Sequence, residues 1–375
     1  MSSPSMPVIH RADHVGSLLR PPELKRARMD PQTTREQLKA LEDRLILDAL
    51  QWQKDAGLHI FTDGEFRRSG FMGDFYDSVE GFDEKAEIAR TWKDGSSAGS
   101  RPKSLAGIVV EKIRQTKRLS SHEVLFLKQH SPGDIKITLP TANQFPAIVF
   151  KKGMTERAYE TRSELLWDIV PIIRSEITAL VNDGVRYIQI DAPRYSYYID
   201  PKWRSYVRVE MGMDPDQALD EAIRADNASL EEARRIAGSD VTFAIHLCRG
   251  NHQSHWYAEG GYDPIAEKLF NTLNVDLFLL EYESERAGTF EPLRFVPANK
   301  GVVLGLVSSK VPQLESQDEL IRRIHEAEEY VPLNNLALSP QCGFASSLEG
   351  NLLTEEDQRN KLRLVVKTAA VVWGS

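Results

Sequence analysis

The sequence predicts a (β/α)8 TIM barrel, an α/β fold, with a β-hairpin insertion after its second strand. Three observations predict it. Short, β-rich apolar segments recur eight times, and amphipathic helical stripes lie between them. The residues able to do chemistry fall at the C-terminal ends of those segments, where barrels of this kind keep their active sites. A length of 375 residues accommodates one barrel with an insertion. A doubly wound sheet is the structural alternative.

In chain order the predicted strands are residues 13–17, 60–65, 135–140, 187–191, 241–248, 276–281, 301–306 and 336–342. Their near-continuous apolar runs fit strands covered on both faces. Leu38, Leu41, Leu45, Ala49 and Trp52 recur at three- and four-residue spacing and predict a helix opened by Thr33 and Thr34. Leu165, Ile169, Ile172, Ile173 and Leu180 predict another. Ser316-Gln-Asp-Glu319 and Thr354-Glu-Glu-Asp357 are capping boxes for the last two helices, the second with Asp in place of Glu. Residues 75–134 do not fit a bare barrel unit. They contain a run of Gly and Ser turns (95–100) and two alternating segments, 106–113 and 122–129, which predict a hairpin. That hairpin is either a lid or wall of a substrate site, or a decoration or dimer contact. The chain, 1–375, thus divides into one barrel and the insertion 75–134 within it.

Apolar residues at 41% and charged residues at 27% fit a folded globular protein. With 47 basic and 55 acidic residues, a net −8, binding of nucleic acid or an anionic membrane through bulk charge is not expected. Two cysteines supply no disulfide framework and fit a reducing compartment. The first residues lack the basic and apolar regions of a signal peptide, and no apolar stretch is long enough to span a bilayer. The expectation is a cytoplasmic protein without membrane or nucleic-acid partners, with a homo-oligomer left open.

His246-Leu-Cys248 ends the fifth predicted strand, where residues i and i+2 point to the same side. The sixth ends at Glu281 and the eighth at Cys342, in Ser339-Pro-Gln-Cys-Gly-Phe344. Alone, a buried Cys is ordinarily a small hydrophobe. Together, sulfur and imidazole donors on one rim favour Zn2+ over magnesium or iron. The spacing fits no zinc finger, so the site depends on the fold and is expected to be catalytic. A free thiol with pKa about 8.5 is only a few per cent ionised at pH 7, and zinc deprotonates a thiol that coordinates it. Anionic ligands leave that sulfur nucleophilic, whereas His-rich ligand sets suit water activation. The donor set points to thiol alkylation.

His-x-Cys, a distal Glu and Cys-Gly in that order, with Arg11-Ala-Asp-His-Val-Gly-Ser17 before them, resemble the cobalamin-independent methionine synthase family. The likeness is to its short single-barrel proteins and covers nearly the whole chain. It implies zinc held by His246, Cys248, Glu281 and Cys342. Glu283 and Glu285 compete with Glu281, which is preferred because it directly follows the apolar strand. The resemblance also implies a homocysteine site at Val15, Gly16 and Ser17, with Glu65 and Asp191. Chemistry agrees: Gly16 permits close backbone approach, its neighbours offer backbone groups to a carboxylate, and Glu65 and Asp191 can accept from an ammonium. The ordinary alternative for the two acids is a salt bridge to Arg67, Arg68 or Arg194.

Three departures matter. The N-terminal half of the long enzymes, with part of their folate surface, has no counterpart. Val307 aligns with the family's proton-delivering His, which favours a donor with a better leaving group than a tertiary amine. Segments 71–75 and 195–198 differ from the long enzymes' substrate loops. His14 is the candidate replacement proton donor, a structural hydrogen bond being its other reading. Arg249 and Asn251 are candidates to meet an anionic group or orient a ligand, and Phe145 to stack on a flat donor. The implied function is zinc-dependent methyl transfer to a small-molecule thiol, homocysteine giving methionine. The donor is methyltetrahydrofolate or a methylcorrinoid, free or on a corrinoid protein. The alternatives are alkylation of another thiol, as in epoxide:coenzyme M transferases, and a non-catalytic zinc-binding barrel.

Overall fold

The computed structural model describes residues 7–93 and 100–374. Strand β1 (Ile60–Phe61) is followed by an antiparallel hairpin of β2 (Val79–Lys93) and β3 (Ser100–Gln115). Then come β4 (Asp134–Pro140), β5 (Tyr187–Asp191), β6 (Thr242–Leu247), β7 (Leu277–Glu281), β8 (Gly301–Val307) and β9 (Leu336–Pro340). β1 and β4 to β9 form one parallel sheet in chain order, curled as in the predicted TIM barrel. Ala12 bridges Leu338 of β9, and the Asp13 amide donates to the Leu338 carbonyl at 2.9 Å. His14 Nε2 lies 3.3 Å from the Ile60 carbonyl, so the segment from Ala12 to His14 touches both β9 and β1. It stands where the first predicted strand was expected.

That strand, 13–17, is not formed: Gly16 has φ +137°, and its carbonyl accepts from Thr62 Oγ1 at 2.8 Å instead of from a ladder. The second predicted strand shortens to Ile60–Phe61 because Gly64 (φ +70°) and Glu65 (φ +60°) leave the extended region. In the insertion, the segment 106–113 lies in β3, but it pairs with β2 rather than with 122–129. The latter is inside a helix, Ser121–His130. Val124 and Leu127 are buried at helical spacing while Leu125 is 70% exposed, a pattern that alternation mimics over a few residues. Residues 95–99 of the predicted turn run lie outside the described residues.

The helices follow their caps. Thr34 and Gln37 form a capping box before Arg35–Asp55, and Thr161 caps Arg162–Asn182. Ser316 caps Gln317–Glu328 with one bond, from the Glu319 amide, and the Thr354–Asp357 box opens Glu355–Trp373. Among the described residues no helix is long and apolar enough to cross a membrane.

The interior of the sheet carries a small core of its own, Ile60, Tyr187, Ala244, Leu277, Leu279, Val303 and Ala337, separate from the larger core. Side chains two residues further along a strand face the same way. Gln189 and Asp191 therefore follow Tyr187, His246 follows Ala244, and Glu281 follows Leu279. The period of two stacks polar rim groups above an apolar floor.

Candidate functional site

His246 and Cys248 at the end of β6 meet Cys342 just after β9. One donor atom from each lies within 4.8 Å of the others, and all three residues are buried. Both ring nitrogens of His246 are buried, and the groups facing the imidazole are the Cys248 sulfur and the carboxyls of Asp191 and Glu281. The hydrogen bond with Cys342, then burial, push the Cys248 thiol well up. This trio has the donor chemistry of a zinc site.

Glu281 is buried nearby but is not in the trio. Its Oε2 accepts from the Arg249 amide at 2.8 Å and its Oε1 from Arg286 Nε and Nη2 at 3.1 and 3.0 Å. Burial opposes its ionisation, yet Arg286, Arg249 and Lys310 hold the carboxyl below the usual range. Glu283 shares Arg286, leaves Oε2 unpartnered, and is pushed up to about 7 by burial and then by Glu281. Glu285, on a short 3-10 turn, is not buried.

The trio opens into a cavity of about 390 Å³, within the range of small-molecule sites. Val15, Ser17, Glu65 and Asp191 line it too, so the expected substrate groups share one space with the metal donors. Gly16 stands behind the wall: a Cβ there would lie 2.8 Å from Thr138 Cγ2 and 3.3 Å from Glu65 Oε1. Gly343 pins the two halves of the site together, since a Cβ on it would fall 2.0 Å from Ser17 Oγ.

Glu65 takes a left-handed backbone, uncommon for a residue with a side chain. Its amide donates to Asp63 Oδ1 at 2.7 Å, and its carbonyl accepts from Arg20 at 2.9 Å, which holds that conformation. Oε1 accepts from Thr138 Oγ1 at 3.0 Å, while Oε2 is buried without a partner. Arg68 lies 3.8 Å away, engaged by Glu123 and Asp74, so it leaves the acid only partly compensated. Burial raises the Glu65 pKa. Asp191 Oδ1 accepts from Gln189 at 2.8 Å, and burial pushes its pKa to about 6 against the pull of His246.

His14 and Phe145 do not line the cavity. Burial, then Lys136, press the His14 pKa to about 4, so at neutral pH it is an uncharged imidazole facing the Ile60 carbonyl. Phe145 stacks on Phe75 with centroids 3.9 Å apart. Arg249 turns to the Gly260 carbonyl, whereas Asn251 lines the cavity and donates to the Gly343 carbonyl at 2.8 Å. Val307 closes β8 and is off the wall. Phe71 and Met72 line the cavity, but Tyr195 and Tyr198 are packed into the core.

Three contributors escaped the sequence reading. Trp92 of β2 lines the cavity, and its neighbour Lys93 bridges Trp256 in the loop after β6, which makes the hairpin a wall. Gln189 donates to both Asp191 and the Val15 carbonyl, a link readable only from strand parity. Lys310, fully enclosed after β8, donates to the Gly250 carbonyl and Asn251 Oδ1, each at 3.0 Å. A lysine just past an apolar strand was the signal for it.

The family model described as "Cobalamin-independent synthase, Catalytic domain" matches residues 14–370. The uncharacterized protein YxjH of Bacillus subtilis (strain 168) is 38% identical over 368 residues, 97% of this chain and 94% of that protein. The methionine synthase of Sulfurisphaera tokodaii is 25% identical, covering 96% of this chain and 91% of that protein. The solved B12-independent methionine synthase from Shewanella sp. W3-18-1, in complex with selenomethionine, superimposes with a TM-score of 0.74 at 21% identity. It covers 97% of this chain and 98% of that one, a likeness of fold.

Proposed function

Because the chain belongs to the cobalamin-independent synthase catalytic-domain family, a family of methyltransferases, we propose that it transfers a methyl group to the sulfur of homocysteine, giving methionine. One observation carries this reading: the His246–Cys248–Cys342 trio and the carboxylates of Glu65 and Asp191 line the same cavity. The trio suits a soft cation and the acids suit an ammonium, which is the pairing an amino-acid thiol presents.

His246, Cys248 and Cys342 would hold zinc, with Glu281 as fourth ligand once one of its oxygens turns from Arg249 or Arg286. Glu283, sharing Arg286, is the competing carboxylate. Zinc bound there supplies one thing, a substrate sulfur held as thiolate at neutral pH. The protein's own groups do the rest. Glu65 and Asp191 accept from the substrate ammonium, and the backbone of Val15, Gly16 and Ser17 meets its carboxylate. Gln189 orients Asp191 from below. The sulfur–methyl bond forms as the donor's bond to that methyl breaks, and the donor leaves with the electron pair. Fixing both reactants in line contributes about 7–11 kcal/mol in well-oriented systems. Methyltetrahydrofolate and a methylcorrinoid are the donor classes.

The test gives zinc-loaded protein homocysteine with methylcobalamin or methyltetrahydrofolate and measures methionine by mass spectrometry. Methionine is expected, and the faster donor identifies the class. Cys342→Ser should lose bound metal and at least about thirtyfold of the rate together, since only a few per cent of an unbound thiol is ionised at pH 7. An active, metal-free Cys342→Ser protein overturns the proposal.

A further inference from the structure

We propose that Arg194 and Trp92 form an oxyanion-binding subsite in this cavity, taking a carboxylate or phosphate group of the methyl donor. Arg194 follows β5 and is 3% exposed, yet among the described residues its guanidinium makes a single hydrogen bond, from Nη1 to the Tyr197 hydroxyl at 2.5 Å. Its Nε is buried without a partner, and it makes no ion pair among the described residues. A guanidinium carries five N–H donors, and a buried charge without a counter-charge is costly.

The other deeply buried arginines are treated differently. Arg20 donates to the carbonyls of Glu65, Arg68, Ala345 and Ser347. Arg68 meets Glu123, Asp74 and Thr138. Arg249 forks onto the Gly260 carbonyl through Nε and Nη2. Arg249 Nη1 is also without a partner, but Arg249 does not line the cavity; Arg194 does.

A second donor in the same condition stands close by. Trp92 is 7% exposed, lines the cavity, and has a buried Nε1–H with no acceptor. Both side chains pack on one ring: the Arg194 guanidinium lies 5.4 Å from the centroid of Tyr257, and the Trp92 and Tyr257 centroids are 5.2 Å apart. Two residues that line one cavity, each with a buried N–H lacking an acceptor, call for an acceptor-only ligand, and a guanidinium fits carboxylate or phosphate oxygens two at a time.

The assignment to the donor rests on the proposed function. Under that reading the thiol substrate is already matched, its ammonium by Glu65 and Asp191 and its carboxylate by the turn at Gly16. Those acids are anchored on Thr138 and Gln189, whereas Arg194 and Trp92 are anchored on Tyr257. The anion read by Arg194 therefore belongs to the other reactant. A folate-type donor would present a carboxylate, and a corrinoid the phosphodiester of its nucleotide arm.

Titration calorimetry on the full chain tests this without turnover. Three probes are used: p-aminobenzoylglutamate for a carboxylate-bearing donor, inorganic phosphate for a phosphate-bearing one, and homocysteine. Arg194→Met should weaken p-aminobenzoylglutamate or phosphate by about tenfold or more, a charge-assisted pair of hydrogen bonds being at stake. Arg194→Lys should recover part of the loss, and homocysteine affinity should be unchanged. Unchanged affinity for both anions, a loss confined to homocysteine, or no anion binding by the unaltered chain overturns the proposal. Because binding is read directly, a protein that forms no methionine but shows this pattern retires the proposed function and leaves the subsite standing.

Discussion

Inside the barrel, Lys136 is fully enclosed and fully used: Nζ donates to Asp13 Oδ1 at 2.5 Å, to the His14 carbonyl at 2.7 Å and to Gln189 Oε1 at 3.0 Å. Asp13 is completed by the Tyr187 hydroxyl at 2.6 Å. At the rim, His246, Glu65, Arg194 and Trp92 are buried to a similar degree, yet each keeps a polar atom without a partner. Leaving such a group unsatisfied costs about 1–3 kcal/mol. The two regions differ in what completes them. The network of Lys136, Asp13, Tyr187 and Gln189 is closed by the chain itself and belongs to stability; the rim is left open by the chain, as the proposed metal and reactants require. Gln189 joins them, taking one bond from Lys136 below and giving one to Asp191 above.

The strongest way to break this contrast is to open the interior. Lys136→Met leaves the buried Asp13 carboxyl with its main counter-charge gone, so urea unfolding should show a loss of about 3–5 kcal/mol. Metal content per folded molecule should not change. A loss under about 1 kcal/mol would mean that the interior network is as dispensable to the fold as a surface pair.

Next in size is the reverse experiment at the rim. Glu65→Gln keeps the acceptor for Thr138 and removes the charge, so the KM for the thiol should rise about tenfold or more, an ammonium–carboxylate hydrogen bond being worth about 1.5–3 kcal/mol. Thermal stability should hold or rise, because a buried, only partly compensated carboxylate is removed. If stability falls and KM does not move, Glu65 belongs with the interior class.

The same division explains what was legible in the sequence. Strand ends carrying Asp191, His246, Cys248 and Cys342 were readable because period-two alternation and chemistry coincide there. The helices were readable from Thr34, Ser316 and Thr354, whose caps are local, and Arg162–Asn182 from its apolar stripe. Misreadings arose where distant partners decide. The helix Ser121–His130 looks like a strand over a few residues, and it supplies the Glu123 that engages Arg68 and leaves Glu65 without a full ion pair. β2 is rich in charge and hides its alternation, so Trp92 could not be placed on the cavity wall. The turn at Gly16 looked extended, but Thr62 captures its carbonyl. His14, next to that turn in sequence, was offered for chemistry on position alone, and the structure puts it against Ile60, off the cavity wall.

His14 yields the smallest expected effect, and its sign follows from the pKa. The imidazole titrates near 6.5 in an unfolded chain, and burial, then Lys136, bring it to about 4 in the fold. Between those values the unfolded chain binds a proton that the folded chain refuses. Stability attached to His14 is therefore complete above about pH 6.5 and is lost as pH falls toward 4, with a slope of at most about 1.4 kcal/mol per pH unit. His14→Gln retains an N–H for the Ile60 carbonyl and has no proton to gain, so its unfolding free energy should decline less steeply across that window. Turnover at pH 7 should stay within about twofold, because an uncharged imidazole off the cavity wall stabilises no transition state. A folded His14→Gln protein that loses turnover would move His14 from the interior class to the rim and restore it as a proton donor.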